Sequence, residues 1–232
     1  MKNLFTLLLI VFGLSANAQQ EPVSGTITGY NLPELDMVLF SLGMDNPIKL
    51  TTVQKDGTFS LEASNVKLPE VSADTRSMFM GQLYHSFYFS FFSNDFDPFD
   101  QLPALKGGYL GLFTEKNQWA GTVFPVSSEE VMFWLEDPGY NNAVKGSFWD
   151  LIYVEEDISL DFPIASSMYY DDKEVPVHYQ FNLELRPGFN WVQYDIEEVY
   201  ETDPNIIASF PIKITIRNIQ DASKMHWIGK YF

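Results

Sequence analysis

The sequence predicts an all-β protein of two β-units: a small N-terminal Greek-key-like module and a larger C-terminal β-sandwich of jelly-roll type. Three observations carry this prediction. Short runs rich in Val, Ile, Thr, Phe and Tyr recur along the chain, and Gly, Pro, Asn and Asp break them at regular intervals. Hydrophobic residues make up 46% and aromatics 16% of the chain, enough for a packed core. Cysteine is absent, so disulfides cannot substitute for that core.

Residues 1–18 read as an export signal. Lys2 gives a short positive start, Leu4 to Leu14 form an apolar run, and Ala16-Asn17-Ala18 supplies a small-x-small cleavage pattern. Cleavage is expected between Ala18 and Gln19. The run is shorter than the about 20 apolar residues that a membrane span needs. The mature chain is therefore expected to have no transmembrane segment and to work in the periplasm, at the cell surface or outside the cell.

Residues 19–64 read as the small β-module. "VSGTITG", "DMVLFSLG" and "IKLTTV" are strand-like, and "QKDGTFSLEA" places Asp56-Gly57 at a tight turn before alternating Phe59 and Leu61. Through Gly25-x-Ile27-x-Gly29 and Asp56-Gly57-x-Phe59-x-Leu61, this stretch resembles the transthyretin-like or carboxypeptidase-regulatory-like β-modules of exported bacterial proteins. The resemblance covers about 45 residues of the 232. It implies a structural or docking unit without catalysis of its own.

Residues 65–106 read as a connector. "MFMGQLYHSFYFSFF" fits a helix, with Leu83, Phe87 and Phe91 four apart, and equally a strand, with Phe87, Phe89 and Phe91 two apart. Its Phe and Tyr content favours the strand. "SNDFDPFDQLP" follows. Asp95, Asp97 and Asp100 carry the oxygens a calcium ion takes, so calcium is the one cofactor this stretch admits. An EF-hand wants a glycine at its sixth position and a glutamate at its twelfth; counted from Asp95, these are Asp100 and Lys106. The spacing fails, and a structural connector pinned by its phenylalanines is the preferred reading.

Residues 107–232 read as the sandwich. Its strand runs are "GGYLGLFT", "WAGTVFPVS", "VMFWLED", "FWDLIYVEEDISLDF", "VPVHYQFNLEL", "FNWVQYDIEEVY" and "ASFPIKITIRNI". "YYDDKEVP" reads as a hairpin tip, and "LELRPGFNWVQY" as a hairpin turning at Pro187-Gly188. "LRPGFN" is similar to a turn of uncharacterised exported bacterial β-domains, a likeness that brings no activity with it. In "VEEDISLD", Glu155, Asp157, Ser159 and Asp161 are expected on one side of a strand.

Function is less legible. The net charge of −17 repels phosphate backbones, so nucleic acid is not an expected partner. Gly-x-Ser-x-Gly and His-Glu-x-x-His are missing, and His85, His178 and His226 are scattered, so no catalytic residue is assigned. Trp134, Trp149 and Trp191 sit inside strand-like runs and are expected in the core. Trp119 follows a polar turn, where its ring offers a stacking face and Asn117 and Gln118 offer hydrogen bonds; these three are the ligand-binding candidates. The sequence thus favours an exported non-enzymatic protein that binds a neutral ligand, a carbohydrate included, or a protein at the cell envelope. The alternatives are a carbohydrate-active or calcium-dependent enzyme on the same scaffold, and an outer-membrane barrel. Lys230 and Glu197-Glu198 interrupt the lipid-facing alternation that a barrel needs.

Overall fold

The computed structural model describes residues 22–40, 47–90 and 101–232. The predicted cleavage site and the candidates Asp95, Asp97 and Asp100 lie outside these residues. The described chain is mostly β, with fourteen strands in one open, mixed sheet.

The strands are β1 (Val23–Thr28), β2 (Leu35–Leu39), β3 (Ile48–Val53), β4 (Thr58–Leu61), β5 (Gly81–Gln82), β6 (Pro103–Lys106), β7 (Leu110–Phe113), β8 (Trp119–Val126), β9 (Gly146–Val154), β10 (Ile158–Tyr170), β11 (Lys173–Leu185), β12 (Gly188–Tyr200), β13 (Phe210–Asn218) and β14 (His226–Tyr231). Among the described residues the α-helices are α1 (Ala73–Phe79), α2 (Leu83–Ser86) and α3 (Glu129–Glu136). The main path runs β10-β11-β13-β12-β9-β8-β14-β1-β4, and β7, β2 and β3 branch from β8. The first four strands thus join later ones directly. β1 pairs in parallel with β14, and β2 pairs with β7. β3 and β4 meet at the expected Asp56-Gly57 turn, where Gly57 has φ +81 and Asp56 Oδ1 accepts from Thr58 N at 3.0 Å.

Two cores share the middle of the sheet. Alternation along β9 sends Phe148, Ile152 and Val154 to one face and Trp149 and Leu151 to the other. In β12, Val192, Tyr194 and Ile196 face the first core, while Phe189 and Trp191 face the second. The first core lies under α2, α3 and the Phe87–Phe89 segment. The second gathers Val23, Ile27, Met37, Phe59 and Leu61 from the early strands with Trp149, Trp191 and Trp227 from the later ones. Strands covered on both faces read as continuous apolar runs, as "SFWDLIYV" and "GFNWVQY" do.

Four local readings change. "VMFWLED" is a helix rather than a strand. Ser128 caps α3 by accepting from Val131 N at 3.4 Å, and Glu129 and Glu130 complement the helix dipole in its first turn. The aromatic segment is neither one strand nor one helix over its described part: α2 occupies Leu83–Ser86 and the chain then runs irregularly to Ser90. In "VEEDISLD", Glu155 to Asp157 form the connection between β9 and β10, so only Ser159 and Asp161 lie exposed on one side of a strand.

The fourth concerns "LELRPGFNWVQY". The chain does turn there, but β13 enters between β11 and β12, parallel to the first and antiparallel to the second. Two asparagine side chains complete the backbone pairing where the strands part. Asn190 accepts from Arg186 N at 2.9 Å and donates to Arg186 O at 2.7 Å. Asn218 treats Glu184 in the same way, at 2.7 and 2.9 Å. The "YYDDKEVP" tip forms as expected: Asp171 and Asp172 have φ +50 and +57, the left-handed pair that a type I′ hairpin turn requires.

Candidate functional site

The sheet splits along one edge of β9. β6 covers that edge from Ile152 to Val154, where Lys106 lies opposite Ile152, and β8 touches it at Phe148 alone. Between these contacts the edge lines a cleft of about 140 Å³ at the boundary of the two cores. The walls come from Tyr88, Tyr109, Phe124, Phe148, Trp149 and Trp191, and two charged groups, Lys106 and Asp150, also line it.

Alternation places Asp150 on the same face of β9 as Phe148 and Ile152, half-buried among apolar neighbours. Its Oδ1 accepts from Leu151 N at 2.7 Å, and among the described residues nothing donates to its Oδ2. Burial pushes the Asp150 carboxyl up to about 6; the nearby Lys106 charge and the Leu151 N–H act in the opposite direction and offset part of that rise. Lys106 stands 5.2 Å from the centre of the Tyr88 ring, a cation–π arrangement, and donates a long hydrogen bond of 3.4 Å to Phe87 O.

The aromatic wall is fixed from behind. Tyr194 is fully buried and stacks on Phe148, with centroids 4.7 Å apart and planes 5° from parallel. Its hydroxyl accepts from Tyr88 N at 3.1 Å, which anchors the irregular segment after α2. Burial raises the Tyr88 and Tyr194 hydroxyls above the usual phenol range, and the Asp150 charge adds to both shifts. Tyr109 is 64% exposed at the mouth, edge-on to Phe124. The cleft thus combines apolar walls, one group that only accepts hydrogen bonds when ionised and one that only donates. This is the usual chemistry of a small-molecule site.

The sequence-predicted residues lie elsewhere. Trp119 begins β8, 58% exposed, and its Nε1 donates to Gly121 O at 2.7 Å while its ring meets Phe232 edge-on at 4.6 Å. Asn117 and Gln118 form the β7–β8 turn. Asn117 has φ +55 and donates its N–H to Thr114 O at 2.9 Å, and Gln118 N donates to Thr114 Oγ1 at 3.2 Å. The three sit together, and none of them lines the cleft. Trp134, Trp149 and Trp191 are buried, as expected for core residues, and so is Trp227. Among the described residues no group of three metal-ligating side chains converges, and no helix is long and apolar enough to cross a membrane.

Asp150 and Lys106 did have a sequence signal. Asp150 is a lone acid inside the nine-residue apolar strand "GSFWDLIYV", where ionisable residues are rare. Lys106 is a lone base in "PALKGGYL". Comparison with protein-family models, with curated proteins and with solved structures finds no match.

Proposed function

We propose that this chain is an exported, non-enzymatic β-protein that binds a small neutral ligand in the cleft between β6, β7, β8 and β9. The observation that carries this reading is the pairing of aromatic walls with Lys106 and Asp150 in one partly open cleft. The volume of about 140 Å³ is close to the about 150 Å³ that accommodates a benzene-sized ring. An ammonium and a carboxylate in the lining balance each other, which favours a ligand without net charge. Export rests on Lys2, the Leu4 to Leu14 run and Ala16-x-Ala18. Holding a ligand needs no more than this lining, whereas glycoside hydrolysis would use a pair of carboxylates across the bond.

The test is amide chemical-shift mapping with cyclohexanol, a neutral ring that matches the cleft in size. Saturable shifts are expected at Gly107, Gly108, Tyr109, Asp150 and Leu151. Shifts centred instead on Asn117 to Trp119, or scattered over the surface, contradict the proposal.

A protein partner at the envelope is the second reading. It draws on exposed Met168 and Tyr169 at the β10–β11 tip and exposed Ile206 and Ile207 in the loop before β13. Asp203 N, which donates to Tyr170 Oη at 2.9 Å, ties that loop to the tip.

A further inference from the structure

We infer that the cleft selects a ligand bearing two hydroxyls on adjacent ring carbons, the group that a neutral pyranose sugar presents; this deepens, and rests on, the reading of the cleft as a neutral-ligand site. The inference comes from the hydrogen-bonding capacities of the two polar groups. The Lys106 ammonium has donors only, and the ionised Asp150 carboxylate has acceptors only. Asp150 Oδ1 already accepts from Leu151 N, while Oδ2 receives nothing from the described residues. Among the described residues, Lys106 makes one long hydrogen bond, to Phe87 O, beside its cation–π contact with Tyr88.

A charged ligand meets one of these groups as a like charge, and an anion also meets the net charge of −17 carried by the chain. A purely apolar ring leaves Asp150 desolvated and unserved, which is unfavourable for a carboxylate. A hydroxyl both donates and accepts. Two neighbouring hydroxyls can give one proton to Asp150 Oδ2, take one from Lys106 Nζ, and polarise each other in the same direction. The C–H edges of the ring then face Tyr88, Tyr109 and Phe124, whose apolar surface suits them. The volume of about 140 Å³ admits one such ring.

The probes are cis-cyclohexane-1,2-diol and cyclohexanol, which differ by a single hydroxyl. Both are titrated into the full mature chain and followed by the Gly108, Tyr109 and Leu151 amide shifts. A hydrogen bond to a charged group is worth about tenfold or more in affinity. The diol is therefore expected to bind at least about tenfold more tightly than cyclohexanol. That advantage is expected to vanish in Asp150→Asn, which keeps the shape and the bond to Leu151 N, and to fall in Lys106→Met. It should persist in Trp119→Ala, which touches none of the cleft. Equal affinity for the two probes at the cleft overturns the diol inference and leaves the neutral-ligand reading standing. A diol advantage that survives Asp150→Asn overturns it as well. An absence of cleft shifts with either probe overturns both readings.

Discussion

Replacing Asp150 with asparagine is expected to stabilise the protein at pH 8, by up to about 3 kcal/mol. The folded chain holds this carboxyl at about 6 against an ordinary 3.8, chiefly through burial. A group whose acidity is weakened by folding binds its proton more tightly in the native state. Its favourable contribution is complete below the unfolded value and is lost as the pH rises through about 6. Above that pH the native state carries a partly desolvated charge that Lys106, on β6, only partly compensates. Tyr88 and Tyr194, the titratable groups facing it from the neighbouring segment and from β12, remain neutral. Asparagine keeps the acceptor for Leu151 N and removes the charge. The gain should fall to about half by pH 5, as the wild-type carboxyl takes up its proton. Urea denaturation at the two pH values measures this directly. A destabilised variant at pH 8, or a gain that does not change with pH, contradicts the assignment. A residue whose removal stabilises the fold marks a place where stability gives way to function.

Replacing Trp227 with alanine should produce the largest loss, about 3–5 kcal/mol, the range for emptying a large aromatic site in a core. Trp227 is 3% exposed on β14. Its ring lies edge-on to Phe59 of β4 at 4.7 Å and to Trp191 of β12 at 5.9 Å. It also lies against Gly25 of β1, so closely that an added Cβ would come within 2.4 Å of the indole. One side chain therefore joins the early strands to the middle of the large sheet. Because the second core draws on both ends of the chain, a single urea transition should move as a whole to lower denaturant. A loss below about 1 kcal/mol, or a separate early transition with the rest unmoved, contradicts the shared core.

Local chemistry made much of the fold legible. Asp56-Gly57 and Asp171-Asp172 declare their turns because a left-handed backbone there admits few residue types. The strands from Leu110 onward announce themselves by alternation or by unbroken apolar runs. "VMFWLED" misled because its five consecutive apolar residues, Val131 to Leu135, fit either period, and its Ser128-Glu129-Glu130 start was the clue to a helix. "LRPGFN" gave a true turn and a false neighbour. The entry of β13 between β11 and β12 is a pairing between distant segments, and no local pattern encodes it. The cleft was hidden for the same reason. It exists because β6 and β8 cover different parts of one edge of β9, and that depends on register rather than on a motif. Trp119 attracted attention as an aromatic after a polar turn, whereas its N–H is satisfied within its own strand.

The central claim is that the cleft keeps a partly desolvated carboxylate available for a neutral, hydroxyl-bearing ligand. The most direct measurement is the carbon-13 titration of the Asp150 side-chain carboxyl, free and saturated with cis-cyclohexane-1,2-diol. The account predicts a midpoint of about 6 in the free protein. It predicts a lower midpoint with the diol, because a hydroxyl donating to the carboxylate favours its ionised form. A free-protein midpoint near the ordinary 3.8, or a midpoint that the diol leaves in place, contradicts it.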